Sequence, residues 1–181
     1  MFKLKYIIDQ EQKEDLRNIK DIKEFVDEFE HIIGRIQLIF NNHEEGIIDE
    51  DIPNIEELLV TWFKFLNETV IYCNKYNYAA MQLFETLDIW FEFTVINDMI
   101  NVKQVRAKQE DRAPLVVNEF IEIQEVFWEE IIETQEFYKC ILNTTKQFLI
   151  DIQLINPILM ESQSLKRLAL LYHQAKSLNT S

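Results

Sequence analysis

The clearest hydrophobic pattern of the chain lies between Tyr78 and Arg106, where apolar and polar residues alternate. From Leu87 to Val95 the odd positions carry leucine, isoleucine, phenylalanine or valine, and three of the even positions carry aspartate, glutamate or threonine. A period of two is typical of a β-strand with one buried face. The pattern therefore predicts a strand with a buried odd-numbered face, and it places Trp90 on the opposite face.

Asn97 and Asp98 follow this strand and predict a tight turn, because both residue types tolerate the positive φ of a two-residue hairpin. The resulting hairpin pairs Val95 with Ile100, Phe93 with Val102, and Glu92 with Lys103. Such pairs match apolar with apolar and acid with base, whereas the match weakens toward the open end. A third strand, Ala80 to Glu85, is expected to precede the hairpin through a turn at Thr86.

Two more alternating stretches predict strands near the N-terminus. Residues 2–8 form the first, with lysines on the outer face. Residues 35–48 form a second hairpin, with turn residues at 41–46. The segment 10–34 fits a helical stripe of apolar residues, but its second half also fits a strand. Gly34 is expected to end either element.

Apolar residues recur at helical spacing in two further stretches, residues 54–76 and 165–178. Asn54 and Glu57 form a capping box, which predicts a helix over residues 54–76. A final helix over 165–178 is expected to begin after Ser162 or Ser164 and has leucines on one face.

A long helical region is predicted between these two helices. Asn118 can cap its start, and Pro157 must end it. Phenylalanine, isoleucine and leucine recur three or four residues apart through this region, including Phe120 and Phe127. One helix over 119–155 would be unusually long, so two helices with a break near Thr134 or residues 143–145 are an alternative.

These elements predict an α+β fold in a single domain spanning residues 1–181, long enough to bury a core. We expect an antiparallel sheet of about five to six strands against a central helix and long C-terminal helices. The parts are N-terminal strands with an acidic hairpin (1–53), a helix (54–76), an antiparallel meander (79–106) and C-terminal helices (115–178).

Composition indicates an ordered protein, with 48% hydrophobic and 12% aromatic residues. The sequence has no charged-then-apolar leader and no apolar run of about 18 residues, so we expect a cytoplasmic location and no membrane partner. Cys73 and Cys140 lack a CxxC neighbour and are expected to be reduced, partly buried thiols.

The net charge of −14, from 18 Lys and Arg against 32 Asp and Glu, constrains the partner. Nucleic acids and anionic lipids require a basic surface, so neither is expected to bind. An acidic surface is compatible with a basic protein partner that is steered by charge. Plain solubility is the alternative explanation.

Known catalytic patterns are missing from the sequence. Two glycines, at positions 34 and 46, leave no room for a phosphate-binding loop, and no GxSxG or HExxH occurs. Glu28 and His31 match one Glu-x-x-His pair of a di-iron site, but such a site needs a second pair. We therefore predict no catalytic residue, no metal and no cofactor.

Two acidic stretches without Lys or Arg are the main candidates for a binding surface. Residues 44–57 contain seven acidic side chains, and residues 113–138 contain seven glutamates. On a helix the second set spans an arc of about 140°, where like charges repel. A solvated outer face would also explain it. The candidate partner-binding residues are Glu44, Glu45, Asp49, Glu50, Asp51, Trp90, Glu119, Glu122, Glu129, Glu133 and Glu136.

Part of the chain resembles small immunity proteins of bacterial polymorphic-toxin loci. The resemblance rests on Ile-Pro-Asn-Ile-Glu-Glu-Leu-Leu at 52–59 with Trp62, on Met-Gln-Leu-Phe at 81–84 and on Leu-Asp-Ile-Trp-Phe-Glu-Phe at 87–93. It covers roughly residues 2–150. It implies a non-catalytic cytoplasmic protein that binds and neutralises a cognate toxin domain, and it transfers no contact residues.

Three functional hypotheses follow. The first is an immunity protein whose acidic surface blocks a basic toxin domain, for example a nuclease. The second is an acidic nucleic-acid mimic, of the kind used by phages against host defences, which would bind several unrelated DNA-binding proteins. The third, an enzyme with a carboxylate pair or metal, is disfavoured by the missing motifs. The sequence does not predict an oligomeric state.

Overall fold

The computed structural model describes residues 1–26, 31–49, 51–52, 56–83, 86, 88–108 and 114–179. The strands in these ranges are β1 (Phe2–Ile7), β2 (Ile33–Phe40), β3 (His43–Gly46), β4 (Glu57–Leu58), β5 (Tyr78–Gln82), β6 (Ile89–Ile96), β7 (Met99–Ala107), β8 (Val116–Val117) and β9 (Ile123–Glu133). The α-helices are α1 (Gln10–Asn18), α2 (Ile22–Glu24), α3 (Leu59–Tyr76), α4 (Thr134–Ile155) and α5 (Gln163–Leu178), with a 3-10 helix at Pro157–Glu161.

The predicted α+β class with antiparallel pairing is confirmed, but the strands form two sheets. In the first sheet β2 lies between β1 and β3, and β4 also pairs with β2. In the second sheet the order is β8-β5-β6-β7-β9. All described pairings are antiparallel.

The first sheet confirms the N-terminal strand and corrects the second hairpin. Lys3 and Lys5 are exposed on β1, as the alternation predicts. Phe40 pairs with His43, so the turn is Asn41-Asn42 and not the whole of 41–46. Asn41 has a φ of 51°, which asparagine accommodates. Because the turn is short, Glu44 and Glu45 belong to β3.

In the segment 10–34 the helical alternative is confirmed over α1 and α2. The alternative strand is absent at Phe25 and Val26, which are helical, and residues 27–30 lie outside the described residues. Helices α1 and α2 occupy its first half, and β2 begins at Ile33. Gly34 therefore lies inside β2, and the prediction that it ends an element is wrong. A Cβ at Gly34 would lie 2.2 Å from the Ile7 carbonyl oxygen and 2.7 Å from Leu59 Cδ1. Glycine is needed here for this close approach.

The central hairpin is confirmed in its full register. The turn is Asn97-Asp98, with Asn97 at a φ of 55°. The predicted pairs 95 with 100, 93 with 102 and 92 with 103 are present, and the ladder continues to Ile89 opposite Arg106. β5 spans 78–82, and Thr86 donates its backbone N–H to Leu83 in the predicted turn. Glu85 lies outside the described residues.

The prediction of helix over 118–133 is wrong. This stretch contains β9, which pairs along β7 from Glu133 opposite Met99 to Ile123 opposite Ala107. The helix begins only at Thr134, the position named as a break, and ends at Ile155 before Pro157. Tertiary pairing with β7 overrides the helical spacing of the apolar residues. The glutamates of this stretch therefore do not share one helical arc.

The other helix boundaries are partly confirmed. α3 begins at Leu59, and Glu57 belongs to β4, so the predicted start at the capping box is wrong. Asn54 lies outside the described residues. α5 begins after Ser162, whose hydroxyl accepts the Leu165 N–H as predicted.

One continuous cluster of buried residues joins both sheets to the helices. Phe40 of β2 lies 5.1 Å from Phe91 of β6, measured between ring centroids. Phe63 of α3 stacks on Phe148 of α4 at 4.5 Å. The second sheet thus has its inner face in this core and its outer face directed away from it.

Candidate partner-binding surface on the second sheet

The strand register defines which side chains share the outer face of the second sheet. Residues directly opposite each other across an antiparallel pair lie on the same face. Three neighbouring rows run across β6, β7 and β9, and the face of these rows is called the outer face below. The rows are Thr94–Asn101–Ile131, Glu92–Lys103–Glu129 and Trp90–Val105–Val126.

One part of the outer face is closed by a small second core. Trp90 packs there with Tyr78, Ala80, Val105 and Ala107, and the cluster is covered by Val117 and Ile121. Trp90 is only 2% exposed. The sequence predicts Trp90 as a candidate binding residue that either packs beneath another element or serves as an exposed anchor. The structure contradicts the exposed anchor, because Val117 and Ile121 cover this cluster.

A buried polar group borders this small core. The Tyr78 hydroxyl donates to Glu92 at 3.2 Å and accepts the Ile121 backbone N–H at 3.2 Å. Burial raises the pKa of Tyr78, the Ile121 N–H partly offsets this, and the Glu92 carboxylate adds to it. Lys103 lies 3.5 Å from Glu92. These contacts fix the segment that covers Trp90.

The rest of the outer face is open and carries apolar side chains. Ile96 and Met99 flank the hairpin turn and are 59% and 41% exposed, and Ile131 of β9 is 58% exposed. The register places Met99 opposite Glu133, diagonal to Ile131. Phe120 is 84% exposed beside Tyr78, with their ring centroids 4.4 Å apart. Clustered exposed apolar groups on a polar surface are typical of protein-binding sites.

Four glutamates of the second acidic stretch lie on β9 or in the segment just before it. Glu119, Glu122, Glu129 and Glu133 are all exposed. Glu122 has a lysine partner, Lys108, at 4.0 Å, and Glu129 accepts from the neutral amide of Asn101. Within the described part of the chain, Glu119 and Glu133 have no cation within salt-bridge distance. The open surface is therefore both apolar and negatively charged.

Glu136, another predicted binding residue, has an intramolecular role. Its Oε1 accepts the Phe2 backbone N–H at 2.9 Å, and its Oε2 lies 3.7 Å from the N-terminal ammonium. The carboxylate thus attaches β1 to the first turn of α4. These intramolecular contacts set Glu136 apart from the candidate surface.

The first acidic stretch begins on β3 with Glu44 and Glu45, and β3 contacts the second sheet. The His43 ring stacks on Trp128 at 4.8 Å, and Glu45 accepts from Gln104 of β7 at 2.8 Å. Burial raises the pKa of Glu45, the Gln104 hydrogen bond partly lowers it, and the charge of Glu57 raises it. The fold thus brings the two acidic stretches into contact.

Glu44, Asp49 and Asp51 of the first stretch are exposed. Glu44 accepts from Gln37 at 3.0 Å, and Asp49 accepts the Asp51 backbone N–H at 3.0 Å. The backbone carbonyl of Asp49 binds the guanidinium of Arg35. Glu50 lies outside the described residues.

The two thiols and the described metal-ligating side chains were candidates for chemistry, and the structure places each of them. Burial raises the pKa of both Cys73 and Cys140, which disfavours the nucleophilic thiolate. Among the described residues, no three His, Cys, Asp or Glu side chains are placed to hold a metal ion. His31 is exposed, and Glu28 of its motif lies outside the described ranges.

The exposed apolar residues were missed by the sequence analysis. Phe120, Phe127 and Ile131 were assigned to a packed helical face, and the structure exposes all three. The available signal was the β-branched and aromatic content of 126–132, which favours a strand.

Comparisons with protein-family models, curated proteins and solved structures gave no match. In the described part of the chain, the helices are too short or too polar to cross a lipid bilayer.

Proposed function

We propose that this protein is a non-catalytic inhibitor of the immunity-protein kind, which binds and neutralises a basic toxin domain in the cytoplasm. The observation that carries the proposal is the open surface around β9, where exposed apolar side chains alternate with glutamates. Ile131 lies between Glu129 and Glu133 along this strand. The resemblance to immunity proteins supplies the class of partner.

The physical argument combines two properties of this surface. Apolar side chains such as Ile96 and Ile131 lose water on binding, which supplies affinity. The glutamates around them repel acidic partners and attract basic ones, which supplies selectivity and a fast encounter. A basic protein partner can use both the apolar contacts and the negative charge. A purely polyanionic ligand can use neither.

The charge contribution predicts how binding responds to salt. Exposed charges are screened over about 8 Å at physiological ionic strength. The association rate of the complex should therefore fall steeply as salt increases, whereas the dissociation rate should change less. A complex whose association rate is indifferent to salt would contradict the electrostatic part of the proposal.

The decisive experiment expresses the reading frame next to this gene under an inducible promoter and measures cell growth. We expect growth arrest, and we expect co-expression of this protein to restore growth. Replacing the exposed glutamates of the surface together should abolish or strongly weaken the rescue. The substitutions are Glu119→Gln, Glu122→Gln, Glu129→Gln and Glu133→Gln.

A matched control replaces four exposed carboxylates elsewhere on the protein, so that it has the same net charge as the surface variant. Its substitutions are Glu11→Gln, Glu14→Gln, Asp15→Asn and Glu161→Gln. Rescue by this control together with failure of the surface variant supports a local site. Equal rescue by both variants, or no rescue by the unmodified protein, would overturn the proposal. Binding to several unrelated DNA-binding proteins would favour a nucleic-acid mimic instead.

A further inference from the structure

The direction of the hydrogen bonds identifies which backbone groups of β9 face outward. In an antiparallel pair, the N–H and C=O of successive residues point alternately to one neighbour and to the other. The Ala107 N–H donates to Asp88, on the β6 side, and the Lys108 N–H donates to Glu122, on the β9 side. The backbone N–H and C=O groups of even-numbered β7 residues therefore point toward β9, and those of odd-numbered residues point toward β6.

The register then gives the orientation of β9 itself. The backbone groups of Val102 and Gln104 point to β9, and these two residues lie opposite Glu130 and Trp128. The backbone groups of these two partners are used by β7, so those of Glu129 point to the free edge of the sheet.

The side chain of Asn41 occupies part of this edge. The Asn41 side chain donates to the Ile131 carbonyl oxygen at 3.1 Å and to Glu130 at 2.7 Å. On the other side of Glu129, a register shift between Gln104 and Val105 leaves Phe127 without an opposite residue. In the described part of the chain, no hydrogen bond reaches the outward backbone groups of Glu129.

The edge between Val126 and Glu129 is thus short, open and flanked by exposed side chains. Val126, Phe127 and Ile131 are exposed hydrophobic residues beside it, and Glu125, Glu129 and Glu133 are exposed carboxylates along the same strand. An open edge is a template for an added strand. The carboxylates select which strand can be added.

We propose that this edge of β9 accepts an extended, basic segment of the partner as an added strand. The inference rests on the proposed function, since it names the mode in which the basic partner binds. On one face of the added segment, Lys or Arg would lie opposite Glu129. The next residue on that face, two positions along, would be apolar and lie beside Ile131. A second copy of this chain is a poor occupant, because two chains of charge −14 repel each other.

The test uses synthetic peptides of about eight residues, matched to a typical strand, with capped ends. The first repeats lysine, threonine, valine and threonine, so that lysine and valine recur in turn on one face, as the proposed segment requires. The second has the same sequence with N-methyl groups on the residues of one hydrogen-bonding edge. The third replaces every lysine with glutamate. Affinity is measured by calorimetry, and amide exchange of Glu129 is followed by NMR.

We expect the lysine peptide to bind and to slow exchange of the Glu129 amide. The N-methylated peptide should bind at least about tenfold more weakly, because it loses two or more hydrogen bonds but keeps its charge. The glutamate peptide should not bind. Equal binding of the two lysine peptides would show attraction by charge alone and would overturn the inference, as would absence of binding.

A pair of variants tests the same edge in the protein. Glu129→Pro removes the outward N–H, and proline is tolerated at edge positions whose N–H faces solvent. Glu129→Gln removes only the charge. We expect the proline variant to unfold at nearly the same denaturant concentration as the glutamine variant and to lose more affinity for the lysine peptide. Equal affinity in the two folded variants would contradict strand addition.

Two outcomes separate this inference from the proposed function. Rescue of growth by Glu129→Pro, together with loss of rescue in the four-glutamate variant, would overturn strand addition and leave the inhibitor function standing. Protection of the Glu129 amide without peptide, with a dimer in sedimentation, would show a second copy on the edge and overturn the inference.

Discussion

Trp90 illustrates how a residue's role changes between sequence and structure. Alternation places it on the outer face, and that placement is confirmed by its register opposite Val105. Alternation does not reveal that a later segment returns across this face. Val117 and Ile121 cover the indole, so burial of Trp90 depends on contacts between positions distant in the chain.

Trp90→Ala is expected to lower the free energy of unfolding by about 3 kcal/mol, because removing a buried aromatic side chain leaves a cavity. The indole N–H has no hydrogen-bond partner among the described residues. Trp90→Phe should therefore cost clearly less, since it retains much of the apolar volume. Urea unfolding followed by circular dichroism measures both. An alanine variant with unchanged stability but no partner binding would show instead that Trp90 is a contact residue.

Strand β9 shows at the scale of elements what local sequence reasoning can predict. The β6–β7 hairpin is predicted correctly near its turn, because the turn residues, the alternation and the Glu92–Lys103 pair all agree. At the open end the pairs match poorly, and only the structure shows that the ladder continues there. In β9 the apolar residues also fit a helix, and the deciding contacts lie on another strand. Glu125 meets Arg106, and Glu129 faces the row of Lys103. A strand relieves the glutamate repulsion that a helix would impose.

The candidate surface was therefore predicted only in part. Glu119, Glu122, Glu129 and Glu133 were selected by charge, and the structure places all four at exposed positions. The apolar half of the surface was not predicted, because a helical assignment turns Phe127 and Ile131 into the core. The error in one element thus hid half of the site.

The contact between β3 and β7 carries a pH-dependent prediction. Burial raises the pKa of Glu45 above its ordinary value of 4.5. The folded protein binds this proton more tightly than the unfolded chain, so the free energy of unfolding falls as pH rises between the two pKa values. Glu45→Gln should keep the hydrogen bond from Gln104 and be more stable than the unmodified protein at pH 7.

This advantage should shrink as the pH is lowered through that window and vanish below about pH 4. Chemical unfolding at a series of pH values measures it. Glu44→Gln, on the exposed side of the same strand, is the matched control and should change stability less. A Glu45→Gln variant that is less stable at pH 7 would show that the ionised carboxylate makes a favourable contact.

At the scale of the whole molecule, the net charge of −14 acts on folding and binding in opposite directions. Self-repulsion destabilises the compact state, and attraction steers a basic partner. Salt screens both, since the Debye length falls from about 30 Å at 0.01 M to about 8 Å at 0.15 M. Added salt should therefore stabilise the free protein while it slows association.

Calorimetric melting across this salt range should show a rising Tm for the unmodified protein. The variant without Glu119, Glu122, Glu129 and Glu133 should show a smaller rise, because Glu129 and Glu133 share one face of β9 and Glu122 directly precedes that strand. The control with four carboxylates removed from α1 and residue 161 has the same net charge but dispersed sites. If Tm rises more with salt in this control than in the surface variant, the repulsion lies at β9. A Tm that falls with salt would mean that ion pairs such as Arg106–Glu125 outweigh the repulsion.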